Sequence, residues 1–222
     1  TSLPTDVQVQ MLHSLPGFEQ AEIMRYAYAI EYDCADPLQM DATLEFKHIK
    51  GLFGAGQFNG TSGYEEAAAQ GLIAGLNAAR FAKGKTPVFP GRDQSYIGVM
   101  LDDLSTKEIV EPYRLFTSRA EYRLTLRQDN ADERLCKIGH AIGLVSDERL
   151  AAVEEKYAAV RREVKRLKSH GVPPSPELNA FLAERGTTPV NDGAPLIALL
   201  RRPEIHYEDL RRFDREMPDL PA

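Results

Sequence analysis

Residues 51–71, GLFGAGQFNGTSGYEEAAAQG, decide how the rest of this chain is read. The apolar run Gly51–Ala55 reads as a short buried strand, leading through Gly54, Gly56, Gly60 and Gly63 into a helix. Ser62, with Glu65 three residues on, forms a capping box that starts the helix at Tyr64; Gly84 and Pro87 stop it after about Ala82. A helix start presents unpaired backbone N–H groups and roughly half a positive charge, a natural seat for an anionic or electron-rich ligand. The glycines remove Cβ atoms that would hold a flat ring or a phosphate away. Small residues behind the entry, from Ala67 to Ala79, let the helix lie close to backbone or cofactor. The same pattern also suits a Gly-rich turn before a tightly packed helix, with Ser62 and Glu65 merely capping. It is not GxGxxG and lacks GK[ST], so it supports neither a Rossmann start nor a P-loop.

Upstream, Tyr26–Tyr32 is aromatic and β-branched enough for a strand, and Thr43–Phe46 reads as another. Downstream of Asn130 the pattern turns helical. Asn130 and Glu133 cap one helix; Ser146 opens a longer one whose apolar positions Leu150, Val153, Tyr157, Val160, Val164 and Leu167 are spaced 3-4-3-4-3. That stripe reads as intramolecular core, although it could seat a partner helix. Ten of the 16 glycines lie between Gly51 and Gly98, and eight of the 14 prolines follow Gly171. The domain boundary therefore falls near residue 128: residues 1–128 mixed α and β, residues 129–222 all-helical.

The chain has 222 residues, 43% hydrophobic and 27% charged, which excludes disorder as the main state. No apolar run approaches the roughly 20 residues of a membrane helix. The start Thr1-Ser2-Leu3-Pro4 reads as mid-chain, so a piece of a larger protein is expected. Cys34 and Cys136 make no disulfide framework, which suits a reducing cytoplasm. The five histidines show no ligand spacing, so no metal site is expected.

The net charge of -6 conceals a basic block: residues 119–168 carry +3, while the flanking parts are acidic. Within it Arg119, Arg123 and Arg127 are spaced by four, one face of a helix, and all are odd-numbered, one face of a strand. Tyr113, Phe116 and Tyr122 interleave with them, equipment for gripping phosphate and stacking an unpaired base. Internal pairing of these arginines with Glu121, Asp129 or Asp132 is the competing reading. The further basic side chains between Lys156 and Lys168 read as a solvated helix face laced with glutamates.

Residues 51–71 together with TSRAEYRLTLRQDNADERL at 117–135 closely resemble the glucose-inhibited division protein A family, the flavoprotein subunit of a bacterial tRNA wobble-uridine modification enzyme. YAIEYD at 28–33, PVFPGRDQSYIGVMLDDL at 87–104 and LRRPEI at 200–205 extend the similarity along essentially the whole chain. The resemblance implies an α/β tail of an FAD-binding, Rossmann-like domain at 1–128, followed by an all-α helical domain for tRNA or partner binding at 129–222. It implies FAD, NADH and methylene-tetrahydrofolate as cofactors of the full-length protein. It also implies a carboxymethylaminomethyl or aminomethyl group built on C5 of uridine 34, tRNA bound by its anticodon arm, a GTPase partner subunit and a homodimer. Gln57 is carried over as a flavin contact, with Gly60, Thr61, Ser62 and Gly63 as donors at the helix end; Arg119, Arg123 and Arg127 become candidate tRNA contacts. The family's dinucleotide fingerprint and its catalytic-region cysteines are absent here, so no catalytic residue is assigned and the isolated chain is expected to be inactive. A small-molecule flavoprotein reductase and a non-enzymatic helical module for a GTPase or RNA are the rival readings.

Overall fold

The computed structural model describes residues 2–220 and separates into two compact units, Thr1–Thr125 and Leu126–Ala222. Among the described residues the architecture is mostly helical, and the one named sheet has two strands.

The first unit contains α1 (Thr5–His13), α2 (Tyr64–Ala82) and α3 (Tyr96–Thr106). The rest is irregular. Its core gathers Leu44, Ile73, Ala74, Met100, Leu101, Leu104 and Tyr113 between α2, α3 and the segments crossing them. The three expected strands do not form. Tyr26–Tyr32 forms no strand, because strand geometry persists only where another backbone completes the ladder; at Ala27 the Gln8 carboxamide binds the N–H and the C=O instead. Thr43–Phe46 and Gly51–Ala55 contribute isolated bridges, Met40 to Phe46 and Glu45 to Phe53. Between them Leu44 adopts φ 68° and is buried; the Asp41 carboxylate accepts from Thr43 N (2.8 Å) and ties the turn. A Rossmann-like sheet is therefore not seen among these residues.

The second unit holds α4 (Ala131–Ala141), α5 (Asp147–Ser169), β1 (Gly171–Val172), α6 (Pro176–Glu184), β2 (Ala194–Pro195) and α7 (Leu196–Leu200). β1 and β2 pair antiparallel, Gly171 with Pro195 and Val172 with Ala194, so this part is not purely helical as expected. Its core is apolar: Leu167, Leu178, Phe181, Leu182, Leu196, Leu199 and Leu210 are among eleven buried members. Ser146 caps α5 by accepting from Arg149 N, and Ser175 caps α6 by accepting from Leu178 N. Asn130 stands at the N-cap of α4 without a side-chain cap, because its carbonyl oxygen accepts from Arg134 Nε instead. On α5 the stripe is only half realised. Val153 and Leu167 are buried, Val160 and Val164 are exposed, and Ala159 and Glu163 take the inner face. No helix among the described residues is long and apolar enough to cross a membrane.

Candidate functional site

The Gly-rich stretch forms a 3₁₀ turn, Gly56–Asn59, followed by a bend into α2. Gly56 and Gly60 take φ 82° and 76°, the left-handed region where a Cβ is costly. Behind the turn stands a buried amide cluster. Gln70 accepts from Asn59 Nδ2 (2.8 Å) and Gly56 N (3.2 Å) and donates to the Thr61 hydroxyl (3.0 Å), which itself donates to Gly56 O (3.1 Å). The backbone then pairs with a second segment: Tyr113 N donates to Gly60 O (2.8 Å) and Ser62 N donates to Tyr113 O (3.3 Å).

Gly63 is the N-cap of α2 and offers no side-chain cap, so the Ser62–Glu65 box does not form. Glu66 turns back instead. Its carboxylate is buried and accepts from Leu115 N (2.7 Å) and Arg114 Nε (3.4 Å). Burial pushes this carboxyl up, but the Leu115 N–H, its own N–H and the Arg114 guanidinium outweigh that and hold it below the ordinary value. A Cβ on Gly63 would stand 1.7 Å from Glu66 Oε2, and one on Gly54 would stand 2.6 Å from Asn59 Oδ1. These two glycines thus make room for the protein's own side chains rather than for a ligand. At Gly60 the nearest atom to such a Cβ is 3.8 Å away.

Gly60, Thr61 and Gln57 line a cavity of about 530 Å³ whose other walls are Tyr32, residues 34–37 and residues 108–112. The Gln57 amide donates to Asp33 O (2.8 Å), joining the two sides. Ser62 is exposed, and the Tyr64 side chain is 93% exposed at the helix entry. A flavin ring edge alternates carbonyl acceptors with an N–H donor. Its carbonyls suit the unpaired N–H groups of an uncapped helix start; Glu66 Oε2 beside it is buried and has no hydrogen-bond partner among the described residues.

The three arginines lie on no common helix or strand. Arg119 ends a 3₁₀ turn at Thr117–Arg119, Arg123 lies in a run of turns, and Arg127 precedes another 3₁₀ turn in the second unit. Their shared face was inferred from spacing, and that inference fails because regular backbone is missing here. Arg127 forms a two-bond fork with Asp129 (both 2.9 Å), the internal pairing weighed above. Asp132 is taken by Tyr157 and Lys156, and Glu121 by Arg92. Arg123 is exposed and makes no hydrogen bond or ion pair among the described residues. Arg119 lies over the Tyr113 ring, 4.5 Å from its centroid, and Tyr113 is buried, so only Phe116 and Tyr122 remain exposed to stack on a base.

Sequence reasoning missed Arg92 and Asp103. Asp103 has a fully buried side chain on α3, and the signal was available: an acid flanked by Val99, Met100, Leu101 and Leu104 occupies a core position of an apolar helix.

Comparison with known proteins adds a separate line. The Glucose inhibited division protein A family profile matches residues 1–86, and the profile of the tRNA modifying enzyme MnmG/GidA C-terminal helical domain matches residues 147–222. The chain is 58% identical over 221 residues to a tRNA uridine 5-carboxymethylaminomethyl modification enzyme, MnmG, of Caldicellulosiruptor saccharolyticus, and 54% identical to one of Clostridium botulinum. It spans about a third of their length, 35% in each case. A solved structure of Aquifex aeolicus GidA superposes with a TM-score of 0.75 at 46% identity, over 96% of this chain and 33% of that one.

Proposed function

This chain belongs to the glucose-inhibited division protein A family, and from that premise we propose that it supplies the flavin-facing helix end and the tRNA-facing arginines of an FAD-dependent enzyme acting on C5 of a tRNA uridine. The observation that carries the reading is the 58% identity running through both units to a relative named for that modification.

In this reading the α2 start receives the pyrimidine edge of FAD. Bound there, FAD supplies the redox chemistry of the modification. The chain's own part is to place backbone N–H groups and the helix dipole where negative charge gathers on a reduced ring. Gly60, held at φ 76°, keeps the ring side of the turn free of side chain, and the Gln57 amide closes the cavity wall. Arg119 and Arg123 meet phosphates of an anticodon arm, while the exposed Phe116 and Tyr122 offer ring faces to the unpaired wobble base at position 34. Arg127, in the second unit, meets a phosphate only by giving up Asp129. NADH, methylene-tetrahydrofolate, a GTPase partner, a homodimer and a cytoplasmic location complete the proposal for a protein of the relatives' full length.

The test uses that full-length protein. Gly60→Val forces a side chain into the left-handed turn beside the cavity, and Gly63→Val expels the Glu66 carboxylate. Both are expected to lose the flavin absorbance while keeping their far-UV helix signal. Unchanged FAD stoichiometry in both variants would overturn the placement of FAD at α2.

A further inference from the structure

Arg92 leaves the loop between α2 and α3 and spends all its donors inside the first unit. Nη1 donates to Asp103 Oδ1 (2.7 Å), Asp102 Oδ2 (3.0 Å) and Val99 O (3.3 Å). Nε and Nη2 grip the two oxygens of Glu121 at 2.8 Å each, and Nη2 also donates to Arg119 O (3.1 Å). On the far side of Asp103, Oδ2 accepts from the Tyr113 hydroxyl (3.0 Å), while Lys107 pairs with Oδ1 (2.6 Å). The ring of Tyr113 is the surface on which the Arg119 guanidinium lies.

Arg119 is therefore held from three directions. Arg92 binds its carbonyl, the Tyr113 ring underlies its guanidinium with Cζ 4.5 Å from the centroid, and Arg114 O accepts from its Nε (2.9 Å). Its two terminal nitrogens have no partner among the described residues. A guanidinium stacked on a ring and tied at Nε presents its outer edge as a rigid fork, the geometry that grips a phosphate in two bonds with little side-chain entropy left to lose. An arginine that merely covered a buried tyrosine would not need a second arginine, itself seated on a buried aspartate, to hold its backbone.

We infer that Arg92, seated on Asp103, is the positioning residue that aims Arg119 at a tRNA phosphate. The inference rests on the tRNA reading above and adds to it the residue that sets the geometry. It concerns tRNA affinity; Arg92 touches no substrate.

The experiment measures tRNA binding across a salt series, with flavin content and melting temperature, for the flavin-loaded full-length protein carrying Arg119→Ala, Arg92→Lys, Glu121→Gln, and each of the last two combined with Arg119→Ala. Arg119→Ala is expected to weaken binding and flatten the slope of log K against log salt by about one unit or less. Arg92→Lys keeps the positive charge and loses the fork, and is expected to weaken tRNA binding about three- to tenfold. The double variant should bind no worse than Arg119→Ala alone, the signature of two residues acting through one contact. Glu121→Gln, at a half-exposed side chain, gives the same readout in a milder form should Arg92→Lys fail to fold. Additive losses, or a fall in melting temperature with the parent's affinity and slope, overturn the positioning role. If Arg119→Ala itself binds tRNA like the parent, the tRNA reading falls and takes the inference with it. If Arg119→Ala weakens binding while Arg92→Lys and Glu121→Gln do not, only the inference falls.

Discussion

The two units solve the folding problem with different chemistry. Of the ten polar or charged residues buried among the described ones, nine lie in the first unit, Gln8 to Asp103, and only Glu163 lies in the second. The second unit instead closes over an apolar cluster built from α5, α6, α7 and the segment around Leu210. Exposed large hydrophobics divide the same way. The first unit shows Met11, Met24, Tyr28, Ile30, Tyr64 and many more, against Leu144, Val160 and Val164 in the second. An irregular backbone must find a partner for every buried N–H and C=O, and without a sheet those partners are side chains. The first unit is thus organised by buried amides and one ionic hub, which can shape a site. The second is organised by volume, around an apolar core.

The contrast breaks most visibly if a core truncation in the second unit is cheap. Leu182→Ala or Leu199→Ala, both fully buried, is expected to cost about 3 to 4 kcal/mol. Denaturant unfolding of residues 126–222 measures it, and that fragment should fold without the rest. In the first unit the comparable loss should come from a polar residue. Asn77 is buried, donates to Thr43 O and Val88 O, and accepts from Val88 N. Asn77→Leu conserves size but strands three backbone groups, and is expected to cost about 3 kcal/mol. A loss under 1 kcal/mol would show that apolar packing, not amide bonding, holds this unit.

A smaller effect sharpens the exception. Glu163 bonds Arg166 Nε and Nη2 (2.8 and 2.7 Å) and accepts from the Tyr207 hydroxyl (3.0 Å); Arg166 also pairs with Asp214 (2.6 Å). The Arg166 fork, opposed by burial, holds the Glu163 carboxyl below its ordinary value. A carboxyl depressed by folding contributes stability that is present above the unfolded value, near 4.3, and is lost as pH falls through the folded one. Glu163→Gln should cost about 2 kcal/mol at neutral pH, with Asp214 still pairing Arg166, and should flatten the acid side of the stability profile. A profile unchanged below pH about 4 would remove the pair from the acid response. Least of all should Arg123→Ala matter to the fold, within about 0.5 kcal/mol by melting.

What could be read in advance follows the same division. α2 was legible to within a residue because small side chains, glycine breaks and a proline agree locally. The serine caps of α5 and α6 depend on neighbours three residues on, and the α5 cap was found in the sequence. Tyr26–Tyr32 has the composition of a strand, but composition says nothing about whether a partner backbone is within reach. The α5 stripe failed at Val160 and Val164 because Tyr207 and Asp214 draw Glu163 and Arg166 inward, a pairing across more than forty residues. At the site, Gln57, Gly60 and Thr61 do line one cavity, whereas the arginine spacing misled because the chain from 117 to 130 follows no fixed period.

One device appears in both units. Gln8 grips the N–H and C=O of Ala27, Asn77 those of Val88, and Asn179 those of Val190 (2.8–3.0 Å throughout). Each carboxamide stands where a neighbouring strand would otherwise be. The consequence is temporal. Amide hydrogens in irregular segments ordinarily trade with deuterium at once, but Ala27, Val88 and Val190 can do so only when a carboxamide lets go. Followed over hours in heavy water, Val88 and Val190 should outlast every other loop hydrogen of their units, keeping time for the opening of each.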